Sequence, residues 1–181
     1  SPNTENLRIF HNEEELNKLL DLLEKEKKIL KTNIPIVVKI SPDIKDENIN
    51  IIAELLLKHN VEAVIISNST DMNRENLSNI NKLEKGGLSG KPLEKKSNEL
   101  INKFYKILKN KIKIIGVGGV DSGQSVYQKI INGASLVQLY TGMIYKGPSI
   151  VSKINEELIN ILENERVKNI SDIVGLSLIH I

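Results

Sequence analysis

Ile112-Lys113-Ile114-Ile115-Gly116-Val117-Gly118-Gly119-Val120-Asp121-Ser122-Gly123 is an apolar, β-branched run that ends in glycines and then turns polar. It reads as a buried strand, a tight turn and the start of a helix over Ser122–Ile131, with Gly133 as the C-terminal cap. The same unit recurs on both sides. Downstream, Ala134–Tyr140 (ASLVQLY) is a strand followed by a helix over Ile150–Glu163. Upstream, Val61–Ser67 (VEAVIIS) precedes a helix at Leu93–Leu108, and Ile34–Ile40 (IPIVVKI) precedes one at Ile49–Lys58. A further helix, Glu13–Leu30, places Leu16, Leu19, Leu20 and Leu23 on one face, and Asn12 with Glu15 spells a capping box. The strands are nearly continuous apolar runs, the pattern of a parallel sheet covered on both faces. A helix followed by four strand–helix units implies right-handed crossovers. The class is α/β, and two architectures compete: an open doubly wound sheet, or half of an eight-stranded (β/α)8, or TIM, barrel. The stretch from Thr70 to Gly90 is long, polar and without period, and is expected to pass over an active-site mouth.

The chain has 181 residues, 25 Lys+Arg against 23 Asp+Glu, and no Cys. That length fits one domain or part of a larger one. A net charge of +2 gives no argument for nucleic acid or an anionic membrane surface. Without Cys the chain holds no disulfide, thiolate metal site or Cys nucleophile. His11, His59 and His180 are scattered, so no metal site is expected. No apolar run is long enough to span a bilayer. The first residue is not Met, so the natural start is expected to lie upstream.

In β/α barrels chemistry sits at the C-terminal ends of the strands. Here these ends carry Lys39, then Ser67-Asn68-Ser69-Thr70, then Gly116-Val117-Gly118-Gly119-Val120, then Tyr140-Thr141-Gly142; Gly86-Gly87-Leu88-Ser89-Gly90 closes the long loop. Gly118 and Gly119 let the backbone approach an anion, and amides around Tyr140–Gly142 can donate to it, as in a phosphate cradle. Taken singly, each glycine reads equally well as a tight turn. Lys39, a lone cation in an apolar strand, needs water or an anionic partner at the mouth. Asn68 can bind a planar polar ligand through paired amide bonds, or serve as a turn residue. Ser1-Pro2-Asn3-Thr4 alone is only a turn signal, and no His lies near it to form an acyl-transfer pair.

In series, six motifs resemble the C-terminal half of class 2, quinone-linked dihydroorotate dehydrogenase. They are Ser1-Pro2-Asn3-Thr4 with Leu7-Arg8, Ile36–Asp43, Val64–Thr70, Gly86–Leu93, Ile114–Val120 and Gly133–Gly142, in the family's order and over nearly the whole chain. The resemblance implies an FMN enzyme of pyrimidine biosynthesis that oxidises dihydroorotate to orotate and passes electrons to a quinone. It makes Ser1 the catalytic base, where class 1 enzymes use Cys. It assigns Asn3, Asn68 and Ser69 to orotate, and Lys39 and Ser67 to the flavin. Gly90, Gly119, Tyr140 and Thr141 would hold FMN, the last three near its phosphate. No metal and no nucleic-acid partner are implied.

There are departures from the family pattern. Ser67 and Ser69 stand where Thr is usual, keeping the hydroxyl, and Glu5 replaces the usual Pro. The family's first four strands, its early substrate loop and its N-terminal quinone-tunnel helices have no counterpart in the chain. We therefore expect residues 1–175 to be part of an FMN-binding barrel, inactive by itself. Membrane association, at a bacterial cytoplasmic or mitochondrial inner membrane, would come through the missing helices. Leu176–Ile181 (LSLIHI) is expected to be a non-native tail, because a common sequencing-library adapter encodes that hexapeptide; a packed apolar tail is the alternative. Two other functional readings are a phosphate-binding β/α-barrel isomerase or lyase, and a non-catalytic half-barrel that binds a phosphate ligand.

Overall fold

The computed structural model describes residues 2–4, 6–72, 74 and 77–178. Four strands form one parallel sheet in sequence order: β1 (Val37–Ile40), β2 (Ala63–Ile66), β3 (Lys113–Val117) and β4 (Leu136–Gln138). Helices α1 (Glu13–Ile29), α2 (Asp46–Lys58), α3 (Glu94–Leu108), α4 (Gly123–Ile131), α5 (Thr141–Lys146) and α6 (Ile150–Asn164) alternate with them. The parallel order and alternation are those expected of a half-barrel.

The regular strands are shorter than the apolar runs, yet pairing continues past their ends. Glu62 N donates to Ile36 O at 3.1 Å, Ser67 N to Val117 O at 3.1 Å, and Asn68 N to Ile40 O at 2.9 Å. Pro35, which has no N–H, sits where β1 would otherwise extend backwards.

Alternate strand residues separate the two faces. Ile40, Val64, Ile66 and Ile114 are buried with Leu20 of α1, Leu56 of α2 and Phe104 of α3 in the larger core. Fully burying each such side chain stabilises the fold by about 1.5–3 kcal/mol. The opposite face carries a register row of Lys39, Ile65, Ile115 and Leu136. There the expectation of two covered faces does not hold: Lys39 is exposed and Leu136 is 62% exposed. Four strands do not close a barrel, so the concave face stays open. The smaller core joins Val120, α4 and α6 through Val126, Ile130, Ile154 and Leu158.

Asn12 caps α1, its Oδ1 accepting from Glu14 N at 2.9 Å and Glu15 N at 3.4 Å. The Glu15 carboxylate pairs with Lys18 rather than closing the box, since Asn12 N already donates to Ile9 O. The full capping box belongs to α4, where Ser122 and Ser125 exchange bonds of 3.2 and 3.1 Å. Leu176 packs on the smaller core, and Ser177 Oγ accepts from Asn102 Nδ2 at 3.2 Å, so contact continues past residue 175. Residues 179–181 lie outside the described residues, as does Ser1.

Candidate active site

Strand pairing draws the polar strand ends together. Ser67 and Asn68 are stitched to β3 and β1 by their backbone bonds to Val117 O and Ile40 O, which sets both at the centre of the mouth. Asn68 Oδ1 accepts from Ser69 N at 2.8 Å, and among the described residues its Nδ2 has no partner. Ser67 is buried, and its Oγ has no hydrogen-bond partner among the described residues.

The loop after β2 makes an excursion and returns. Thr70 and Leu88 form an antiparallel bridge, with Thr70 N to Leu88 O at 3.0 Å and Leu88 N to Thr70 O at 2.6 Å. Inside it, the Arg74 guanidinium donates to the carbonyls of Lys82 (3.2 Å), Glu84 (2.5 Å) and Gly86, holding the arc in shape. The returning glycine segment is then pinned on both sides. Gly87 N donates to Asn3 Oδ1 at 2.9 Å, and Ser89 Oγ bonds Thr141 Oγ1 at 2.8 Å. Gly90, at φ +79°, passes so close to Thr141 that an added Cβ would lie 2.9 Å from its Cγ2.

The result is a cleft of about 310 Å³ at the strand ends. Its lining includes Asn3, Lys39, Ser67, Asn68, Ser69, Gly90, Gly119, Tyr140 and Thr141. Every site residue expected from sequence is therefore in one place, apart from Ser1, which lies outside the described residues. Lys39 makes no ion pair or hydrogen bond among the described residues and faces this cleft. A wider cleft of about 680 Å³ adjoins it between the returning loop and α5, sharing Gly90, Gly119 and Thr141.

Sequence reasoning missed the group that holds the mouth together. Asp43, three residues beyond Ile40 at the end of β1, has a side chain only 1% exposed. It accepts from Lys96 Nζ at 2.7 Å, Thr70 Oγ1 at 2.5 Å, Asp71 N at 3.2 Å and Arg8 Nη2 at 3.3 Å. Burial pushes its carboxyl up, but the hydrogen bonds of Lys96 and Thr70 and the Lys96 charge outweigh this and hold it below the usual range. The signal was a carboxylate next to Ser-Pro at a strand end. Ser89, between Leu88 and Gly90, carries no sequence signal for its bond to Thr141.

The comparisons with known proteins converge on one family. The dihydroorotate dehydrogenase family model matches residues 1–162. The chain belongs to the dihydroorotate dehydrogenase family. It is 40% identical over 187 residues to a dihydroorotate dehydrogenase (quinone) of Trichodesmium erythraeum, a match covering 98% of this chain and 48% of that protein. To the dihydroorotate dehydrogenase (quinone) of Christiangramia forsetii it is 43% identical over 159 residues, covering 88% and 46%. A crystal structure of the dihydroorotate dehydrogenase of Eimeria tenella in complex with ferulenol superimposes with a TM-score of 0.92 at 33% identity, covering 98% of this chain and 52% of that one. The chain thus spans about half the length of the dihydroorotate dehydrogenases it matches. Its sheet is part of the α/β barrel of that family, and the alternative of an open doubly wound sheet falls away.

Proposed function

We propose that the enzyme to which this chain contributes oxidises dihydroorotate to orotate, with FMN as the flavin and a quinone as the final acceptor. The observation that carries this reading is the convergence of Asn3, Lys39, Ser67, Asn68, Ser69, Gly90, Gly119, Tyr140 and Thr141 on one cleft. The buried hydroxyl of Ser67 supports a ligand there. Leaving such a group unpaired costs about 1–3 kcal/mol, and a flavin edge would satisfy it.

FMN, when bound, supplies the acceptor for the hydride leaving C6 of dihydroorotate. The chain's own residues divide the remaining work. Ser1 removes the proton from C5, and exclusion of water or a proton relay must assist so weak a base. Asn3, Asn68 and Ser69 hold the orotate ring and its carboxylate. Lys39 brings a cation to the flavin's pyrimidine edge, beside the Ser67 hydroxyl. Gly90, Gly119, Tyr140 and Thr141 seat the flavin, the last three at its phosphate end.

Among the described residues no helix is long and apolar enough to cross a membrane. We place the quinone route and peripheral membrane contact in the portion of the enzyme that this chain does not span. The test is the whole enzyme purified with its flavin and mixed with dihydroorotate in a stopped-flow spectrometer. Flavin bleaching is expected in the wild type, with bleaching severely slowed and FMN retained in Ser1→Ala. Unchanged bleaching in Ser1→Ala removes Ser1 from the mechanism, and a wild-type enzyme without FMN overturns the reading itself.

A further inference from the structure

Lys129 stands in the last turn of α4 with no exposed surface. Its Nζ donates to Ser97 Oγ and to Asn98 Oδ1, each at 3.0 Å, and both acceptors are neutral. It forms no ion pair among the described residues, and the Glu94 carboxylate favours its charged form. A buried ammonium without a carboxylate partner is costly, and an aliphatic side chain would pack in its place with less penalty.

The stem of Lys129 passes under the third strand, where a Cβ on Gly116 would lie 3.0 Å from Lys129 Cδ. Ser97 Oγ, which receives the ammonium's hydrogen bond, donates to Val117 O at 2.6 Å. Val117 is followed directly by Gly118-Gly119, and a Cβ on Gly118 would lie 3.3 Å from Ser97 Cβ. The cation is therefore one hydroxyl away from the carbonyl that opens the glycine cradle.

Within the smaller cleft, the cradle shares a single lining cation among the described residues. Lys39 is the one charged side chain lining the 310 Å³ cleft among the described residues, and it stands on β1, two strands away from β3. At the rim, Lys91 is paired with Glu94 at 2.7 Å and Asp121 at 3.5 Å, and Lys146 lies 3.8 Å from Asp121.

We propose that Lys129, buried behind the third strand, supplies the positive charge that holds the flavin's phosphate at Gly118-Gly119. This rests on the flavin reading of the same cleft and gives it a residue that does not touch the ligand. Lys129 is a positioning residue acting through Ser97 and through its field, which a low-dielectric interior screens weakly. Burial lowers its pKa to about 8, with Glu94 acting in the opposite direction, so most of it is charged at neutral pH.

The experiment measures FMN and riboflavin dissociation constants for the flavin-free whole enzyme, as wild type, Lys129→Met and Lys129→Gln. Riboflavin lacks only the phosphate. The expected result is FMN affinity on the order of tenfold weaker in both variants, with riboflavin affinity unchanged. An equal loss for both flavins makes Lys129 a packing residue and overturns the proposal, as does no loss for either. If the wild type binds neither flavin, the flavin reading fails, and inorganic phosphate decides the inference separately. Phosphate should then raise the melting temperature of the wild type, against chloride of equal ionic strength, and leave both variants unmoved. The same shift in all three proteins overturns it.

Discussion

Lys96 Nζ donates to Asp43 Oδ1 at 2.7 Å across 53 residues of sequence, joining the first turn of α3 to the loop after β1. Arg8, Thr70 and Asp71 add bonds to the same carboxylate, so one buried group ties the N-terminal loop, the two strand-end loops and a helix. Because its folded pKa is depressed, the unfolded chain binds the proton first. The stabilisation is present above the unfolded value, near 3.8, and is lost as pH falls through the lower folded value. Asp43→Asn should therefore destabilise the enzyme by about 3 kcal/mol at pH 7. The gap to wild type should close below about pH 4. Urea denaturation as a function of pH measures it; a gap independent of pH would remove the charge from the explanation.

Gly87 is the contact point between the N-terminal loop and the loop after β2. A Cβ there would lie 2.6 Å from Ser69 Cβ and 2.9 Å from Pro2 Cγ, in a place where Gly87 N already bonds Asn3 Oδ1. Overpacking of this kind costs about 1–3 kcal/mol. Gly87→Ala should push Asn3 and Ser69 apart and weaken orotate binding roughly tenfold. The flavin content should be unaffected. Titration of orotate into the oxidised enzyme, followed by the flavin spectrum, gives the affinity directly.

Lys39 has no carboxylate partner among the described residues, which leaves its charge for whatever occupies the cleft. Removing it with Lys39→Met should disfavour the anionic reduced flavin and lower the reduction potential. FMN retention should weaken by roughly 1–3 kcal/mol. A redox titration run beside a thermal melt separates the outcomes. An unchanged potential with a lowered melting point would make Lys39 a scaffold residue.

Lys129 carries a pH signature of its own. Its folded pKa, lowered to about 8 by burial, lies beneath its unfolded value. The folded chain gives up the proton first, so the destabilisation is complete below pH 8 and is relieved as pH rises towards the ordinary lysine value. The shift from the ordinary lysine value to about 8 corresponds to a net penalty of about 3 kcal/mol. The flavin-free Lys129→Met enzyme should be no less stable than wild type at pH 7, and wild type should gain on it between about pH 8 and 10. Chemical denaturation at three pH values tests the slope.

Much of this protein is encoded over short stretches of chain. The alternation of apolar runs and amphipathic helices is set by periodicities of 2 and 3.6, which are local properties, and they carried the parallel strand order. The residues of the cleft were legible for a related reason: a strand end delivers whatever follows it to the mouth, so reading past each strand located Ser67, Asn68, Gly119 and Thr141. What the tertiary structure alone decided is the pairing of residues remote in sequence. Lys129 lies in Gln-Lys-Ile-Ile and reads as a solvated helix charge until α4 packs beside α3 and takes its ammonium out of water. Asp43 reads as an ordinary carboxylate after Ser-Pro until Lys96 and Arg8 arrive from 53 and 35 residues away. Desolvation and long-range ion pairing depend on which faces meet, and no local pattern specifies that. The open concave face is the same lesson in reverse: continuous apolar strands predict two covered faces, and only the closure of the whole barrel could cover the second.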